Sequence, residues 1–454
     1  MPQQRNHSRR SQSSRVLEDT EASHSQVLDR LAEAFSEDVI DELREQTGYN
    51  PRKRVATAFR LMLVCVEACL SGKTLGFASI RAFFVKRFGS IRPRAFQLRF
   101  KSEKAVAFFR AALDRLVADV TSQFSPALTG ALAGFDDVHV YDGSGQRAPV
   151  RGRKNRLKAT TLESAGSKWV VGYSLRSGIA IEAIAGEGTT AEIPMWKKLV
   201  PHLQRNVLYL LDLGFYCRYV YEEAIRTGSH VLMRLKADED NLRKKLRVVT
   251  AIEDGGPAKL RCSYTVSSYL RRAERYQHRE IDLEVDWGFG PDRLTLRVVG
   301  LRRNQKWFLY LTTVSREQMS VQTVTETYRL RWLIEFLFRE WKQETDWGRS
   351  ATADRNALEA LTYASLIAHV LVRSMRIAAA YRHQIPLDEL RPLACMHVAR
   401  AFSAELVTAL LASDEEQWRN FAEQMLFAIL ELAHEPKASR SRQRIASNLG
   451  ALGG

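Results

Sequence analysis

The spacing of apolar residues divides the chain into three textures. From Val27 to about Phe124, apolar residues recur at helical spacing in VLDRLAEAF, DVIDELREQ, RVATAFRLMLVCVEACL, FASIRAFFVKRF and KAVAFFRAALDRLVADV, which predicts a set of helices. Gly48, Gly72, Gly89 and Pro93 break the pattern between them. At Phe135 the texture changes. FDDVHVYDGSG predicts a short strand ending at Asp142 and a Gly-Ser-Gly turn, and KWVVGYSLRSG and GIAIEAIAG are strand-like. A helix follows near Ile193 to Leu203, and then the unbroken apolar run Val207 to Leu211, which ends at Asp212. A run with no polar alternation suits a strand covered on both faces of an α/β sheet. YVYEEAIRTG and HVLMRLK complete a strand-helix-strand unit.

From about 236 to 312 the pattern alternates in REIDLEVDW, RLTLRVVGLRR and KWFLYLTTV, which predicts a β-rich segment. Helical spacing returns at about Val321 and continues to about Glu435. The resulting map has a polar tail at 1–25, expected to be disordered, and a helical basic domain at 26–128. An α/β core at 129–236 and 313–380 is interrupted by a β-rich insertion at 237–312. A helical C-terminal region at 381–436 and a basic tail at 437–454 complete it.

Composition narrows the partners. The 454 residues are 45% hydrophobic with a net charge of +16, enough apolar material for a large core and a charge that favours a polyanion. Residues 51–110 hold fourteen Lys/Arg against Glu67 and Glu103. Five cysteines form no CxxC pair and no histidine spacing completes a zinc site, so a reducing cytoplasm is expected. No apolar run reaches the ~18 residues of a membrane span, and the polar, basic start has no apolar signal core.

The candidate chemistry lies in three places. Asp142 and Asp212 are each read at the C-terminal end of a strand, where open α/β sheets bind ligands. Taken singly, either is an ordinary turn aspartate. In YRLRWLIEFLFREWK, Tyr328, Arg331, Glu335 and Lys342 fall on one stripe of a helix, with Leu330, Leu333, Ile334, Leu337 and Trp341 opposite. That stripe alone also fits a solvated helix face. Together, Asp142, Asp212 and Glu335 offer hard oxygen ligands for divalent cations and in-line phosphoryl transfer, with Arg331 and Lys342 beside them for phosphates and Tyr328 as a hydroxyl donor.

The spacing of Tyr328, Arg331, Glu335 and Lys342 resembles the Tyr-Arg-Glu-Lys signature of bacterial insertion-sequence-four family transposases with an acidic Asp-Asp-Glu triad. Asp212-Leu213-Gly214-Phe215 is similar to that family's Asp-x-Gly-Phe motif, departing at Leu213, where many members have arginine. Asp142-Gly143-Ser144 resembles the first motif. The resemblance covers roughly residues 50–380. It implies a ribonuclease-H-like core holding the β-rich insertion, with Asp142, Asp212 and Glu335 as catalytic residues binding two Mg²⁺ ions, for which Mn²⁺ can substitute. It further implies DNA contacts from Tyr328, Arg331, Lys342 and Arg234, and a base-flipping role for Trp307, a residue that equally suits a core aromatic in a strand.

The implied activity is cut-and-paste transposition: cleavage of double-stranded DNA at inverted-repeat ends, with a hairpin a common intermediate, and joining to target DNA. Basic residues 51–110 would read the ends. A homodimer would form on DNA, with the C-terminal helices as one route, in the cytoplasm at the nucleoid. Two alternatives stay open: a nuclease of the same fold that cuts without joining, and an inactive DNA-binding descendant.

Overall fold

The computed structural model describes residues 28–51, 55–72, 76–123, 128–149, 164–235, 245–260, 262–345 and 347–435. Both tails of the sequence map lie outside them.

After helical residues 28–34, the N-terminal part contains α1 (Glu37–Gln46), α2 (Ala58–Leu70), α3 (Phe77–Phe88), α4 (Pro93–Gln97) and α5 (Glu103–Gln123). Ser36 and Thr57 cap α1 and α2 by accepting from backbone N–H groups three residues on. Apart from Arg60 in its first turn, α2 is buried on all sides, including Cys65 and Cys69, whose thiols burial pushes well above their ordinary values. Part of the basic 51–110 segment is committed internally. Arg87 makes paired bonds to the buried Glu67, at 2.6 and 2.9 Å, and donates to the Ala404 carbonyl. Lys86, Arg92, Arg94, Lys104 and Arg110 are exposed.

The centre is an 11-stranded sheet. Strands β1 (Asp137–Pro149), β2 (Ser164–Ser174) and β3 (Ala180–Glu187) form an antiparallel meander. Strands β4 (Val207–Leu211) and β5 (His230–Leu235) then add in parallel beside β1. The apolar run predicted as β4 is buried at all five positions. Between β3 and β4 lie a short helix, α6 (Glu192–Trp196), and a 3₁₀ turn at Val200–His202, in place of the continuous helix expected there. The helix α7 (Arg218–Thr227) crosses from β4 to β5 and stops at Gly228, whose φ of 70° closes the helix in the left-handed region.

One expectation needs correction. β1 does not end at Asp142. It runs on through Gly143, Ser144 and Gly145, paired with β2 along its whole length, while its pairing with β4 stops at Tyr141. Asp142 stands inside a long strand, at the step where its parallel neighbour gives way to a turn.

The β-rich segment continues the same sheet. It comprises β6 (Leu246–Glu253), β7 (Gly256–Pro257), β8 (Tyr264–Thr265), helix α8 (Val266–Arg275), β9 (Glu280–Trp287), β10 (Leu294–Arg303) and β11 (Lys306–Thr312). β11 bonds directly to β5, and the strand order is β3-β2-β1-β4-β5-β11-β10-β9-β6-β7, with β8 paired to β6. The segment therefore shares ladder hydrogen bonds with the strand carrying Arg234. Buried Arg297 grips Asp282 through both oxygens at 2.9 Å and donates to the carbonyls of Ser315 and Met319. This ties the insertion to the loop that leads into α9 (Val321–Tyr328).

A 3₁₀ turn at Arg329–Arg331 joins α9 to α10 (Trp332–Thr345), so the signature helix is tightened in its middle. Behind it runs α11 (Arg355–His383), 29 residues long and buried on nearly every side. The C-terminal helices α12 (Pro392–Ala401), α13 (Ser403–Ala412) and α14 (Glu415–Ala433) pack against α11 and the N-terminal helices. One face of the sheet joins this helical core, and the other forms a separate apolar cluster. No single described helix is long and apolar enough to cross a membrane.

The apolar side of α10 is keyed to α11. Trp341 is fully buried, stacks on Trp347 with ring centroids 4.2 Å apart, and donates its indole N–H to Ser365 at 2.9 Å. Beside it, Glu340 pairs with buried Arg373, and His369 stands 3.8 Å away. Burial works against the Glu340 charge, but Arg373 and His369 outweigh it and bring the carboxyl down to about 2. A carboxyl lowered on folding contributes stability above its unfolded value of ~4.3 and loses it as pH falls toward the folded one. Glu340→Gln should therefore cost about 3–5 kcal/mol at neutral pH by leaving Arg373 unpaired, and urea melts should show the gap narrowing between pH 5 and pH 2.

Candidate active site

Parallel register brings the first two carboxylates together. Tyr141 lies opposite Leu211, so the residues that follow them, Asp142 and Asp212, emerge from neighbouring strands. Strand spacing puts their backbones ~4.8 Å apart. Met233 is opposite Leu211 on the next strand, so Arg234 stands in the same row beside Asp212. Asp142, Asp212 and Arg234 thus line the carboxyl edge of three adjacent parallel strands.

The signature segment closes over this edge. Tyr328 is buried, donates its hydroxyl to the Leu211 carbonyl at 3.2 Å and packs on Tyr310, with ring centroids 5.2 Å apart. Burial pushes its phenol well above the ordinary value, so the group stays a protonated donor. It is a strut between the helix junction and the end of β4. Three residues on, Arg331 donates to Glu335 at 2.9 Å and reaches Asp142 at 3.4 Å. One guanidinium therefore joins the helix carboxylate to a sheet carboxylate. Lys342 is exposed two turns further along, with its ammonium 5.9 Å from the Phe338 ring centroid and 5.8 Å from that of Trp347.

The electrostatics are strained toward positive partners. Asp142 is pushed up to about 6, first by burial and further by the charges of Asp212 and Glu192, while the Gly143 N–H and Arg331 oppose the rise. All three motif carboxylates are hard oxygen donors on rigid elements, which is the donor chemistry of Mg²⁺ and Mn²⁺. In this conformation, no three Asp, Glu, His or Cys side chains among the described residues are close enough together to hold a metal ion. Arg331 takes up the space between Asp142 and Glu335. The residues fit a divalent cation in kind, as three carboxylates on neighbouring rigid elements.

The two remaining candidates, Trp307 and Arg234, lie on opposite faces of the sheet. Trp307 is buried in the apolar cluster with Leu309 and Leu311, whereas Phe308 and Tyr310 belong to the face that carries Tyr328. On a strand, one position decides the face, so stacking on a flipped base would require Trp307 to leave the core. Arg234, on the Tyr328 face, is exposed and lies 5.9 Å from the Phe308 ring centroid.

Sequence reasoning missed Glu192. Its carboxylate reaches the same edge and pairs with Lys168 at 2.9 Å. The only trace in the sequence is that a glycine follows each aspartate motif, at Gly143 and Gly214, which suits a turn equally well.

Comparison with known proteins finds relatives along most of the chain. A family model described as "Transposase DDE domain" matches residues 134–371, a span that contains Asp142, Asp212 and Glu335. The transposase for insertion sequence element IS231C of Bacillus thuringiensis subsp. berliner is 20% identical over 468 residues, covering 90% of this chain and 95% of its own. That for IS231D, from subspecies finitimus, is 19% identical over 457 residues with the same coverage. A cryo-EM structure of a piggyBac transposase synaptic complex with hairpin DNA overlays at a TM-score of 0.42 and 12% identity, covering 94% of this chain and 85% of that one, too loosely to bear on the site. The family match extends over more than half of the chain: the chain belongs to the transposase DDE domain family.

Proposed function

We propose that this protein is a cut-and-paste transposase. It binds the inverted-repeat ends of an insertion sequence, cleaves them by Mg²⁺-dependent phosphoryl transfer and joins them to target DNA. The observation that carries the reading is the pairing of Asp142 with Asp212 by parallel register, with Arg331 linking Asp142 to Glu335. A three-strand meander followed by two parallel strands supports a ribonuclease-H-like core.

Asp142, Asp212 and Glu335 would hold two divalent ions, which would supply activation of a water or 3′-hydroxyl and charge stabilisation for the oxygens of the displacement. The chain's own residues do the rest. Arg331 exchanges its carboxylates for phosphate oxygens as DNA enters, which frees Asp142 and Glu335. Lys342, ~10 Å further along the helix axis, meets a neighbouring phosphate, and Arg234 holds the strand on the other side of Asp212. Tyr328 fixes the helix at the height of the aspartates. The exposed cations of the N-terminal helices recognise the repeats, two ends are held by a homodimer, and second-strand cleavage passes through a hairpin.

The test is incubation of element-end DNA with protein and Mg²⁺, followed by denaturing gels. Nicked ends and joined products are expected, and EDTA should abolish both. Cleavage without joining would favour a nuclease. Asp142→Asn, Asp212→Asn and Glu335→Gln should still retard end DNA yet give no product; unchanged cutting by Asp212→Asn would overturn the assignment.

The raised Asp142 carboxyl gives a pH signature. A group raised on folding stabilises fully below its unfolded pKa and loses that contribution as pH rises through the folded value, here about 6. In metal-free protein, Asp142→Asn should therefore raise Tm at pH 8, by about 2 kcal/mol in free energy, with little effect at pH 4. Cleavage by the wild type should fall in acid, because the ligand form is the carboxylate.

A further inference from the structure

Glu192 belongs to none of the recognised motifs, yet both aspartate motifs are shaped around it. A Cβ on Gly143 would lie 2.5 Å from Glu192 Oε1, and a Cβ on Gly214 would lie 1.7 Å from Oε2. Real side chains do not tolerate such distances, so both positions must be bare for the Glu192 carboxylate to occupy its seat. Neither glycine has a positive φ, and a side chain at either would displace the Glu192 carboxylate from this seat.

The helix that presents Glu192 is keyed to the same two strands. Trp196, fully buried, sits edge-on to Tyr141 at 4.7 Å and to Phe215 at 5.6 Å between ring centroids. Tyr141 precedes Asp142, and Phe215 follows Gly214. The core contact of α6 thus registers it against the strand and the turn that carry the aspartates, and its first residue is delivered against the glycines that follow them. On the outer side Lys168 of β2 holds Oε1 at 2.9 Å. The side chain is fixed by packing on one side and by a charge on the other.

We propose that Glu192 is a positioning residue of the active centre: seated on the glycines that follow both aspartates, it sets their separation and adds a fourth negative charge that tightens divalent cation binding. Lys168 tempers that charge. The inference rests on the carboxylate site proposed above and adds a residue outside its signature.

Mn²⁺ binding to the full-length, DNA-free protein at pH 8, read by loss of the free-ion EPR signal, tests it together with thermal melts. Glu192→Gln should weaken Mn²⁺ binding about tenfold without lowering the metal-free Tm, since it removes a repulsive charge. Lys168→Met should tighten binding, a result that a purely structural ion pair does not produce. Asp212→Asn is the control for the underlying site. If Asp212→Asn weakens binding while Glu192→Gln and Lys168→Met match the wild type, Glu192 has no such role. If Asp212→Asn itself binds Mn²⁺ normally, the carboxylate site fails and this inference fails with it. Should Glu192→Gln not fold, Lys168→Met decides: tighter binding supports the role, and unchanged binding overturns it.

Discussion

Everything at the carboxyl edge depends on the parallel pairing of β1 with β4. That register forces two aspartates from residues far apart in sequence to emerge side by side, partly buried, where their charges repel. A protein tolerates such a pair only with compensation. In this structure Arg331 supplies it from the helix above, and it also binds Glu335. The same guanidinium therefore joins Asp142 to Glu335 and stands between them.

The surrounding architecture holds that cluster steady from several directions. Tyr328 fixes the height of the signature segment against β4, and Trp341 with Glu340 clamps its other side to α11. Arg297 anchors the insertion to the loop before α9. Because β11 bonds to β5, the insertion and the carboxyl edge share one sheet. A displacement of the insertion would be felt at Arg234, one strand from Asp212. Rigid placement of this kind is what phosphoryl transfer demands of its ligands.

Much of this was legible from residue patterns, for identifiable reasons. An apolar run as pure as Val207–Leu211 has few homes other than a strand covered on both faces, and the structure buries it so. The helical ends carried their spacing openly, and the spacing from Tyr328 to Lys342 survived even though a 3₁₀ turn interrupts the helix. What failed depended on partners distant in the chain. β1 continues past Asp142 because β2 pairs with it, and glycine-rich DGSG gives no sign of that neighbour. Trp307 and Phe308 differ by one position, and only tertiary packing says which of two adjacent aromatics faces the site. Glu192 was invisible because its role is defined by two glycines, one about fifty residues before it and one about twenty after.

The most direct measurement is anomalous diffraction from crystals of the protein with element-end DNA and Mn²⁺. The account expects anomalous peaks between Asp142 and Asp212 and beside Glu335, with carboxylate oxygens at ~2.0–2.3 Å and Arg331 turned to a phosphate. Density that leaves Arg331 bridging Asp142 and Glu335, with the bound metal elsewhere on the protein, would contradict it.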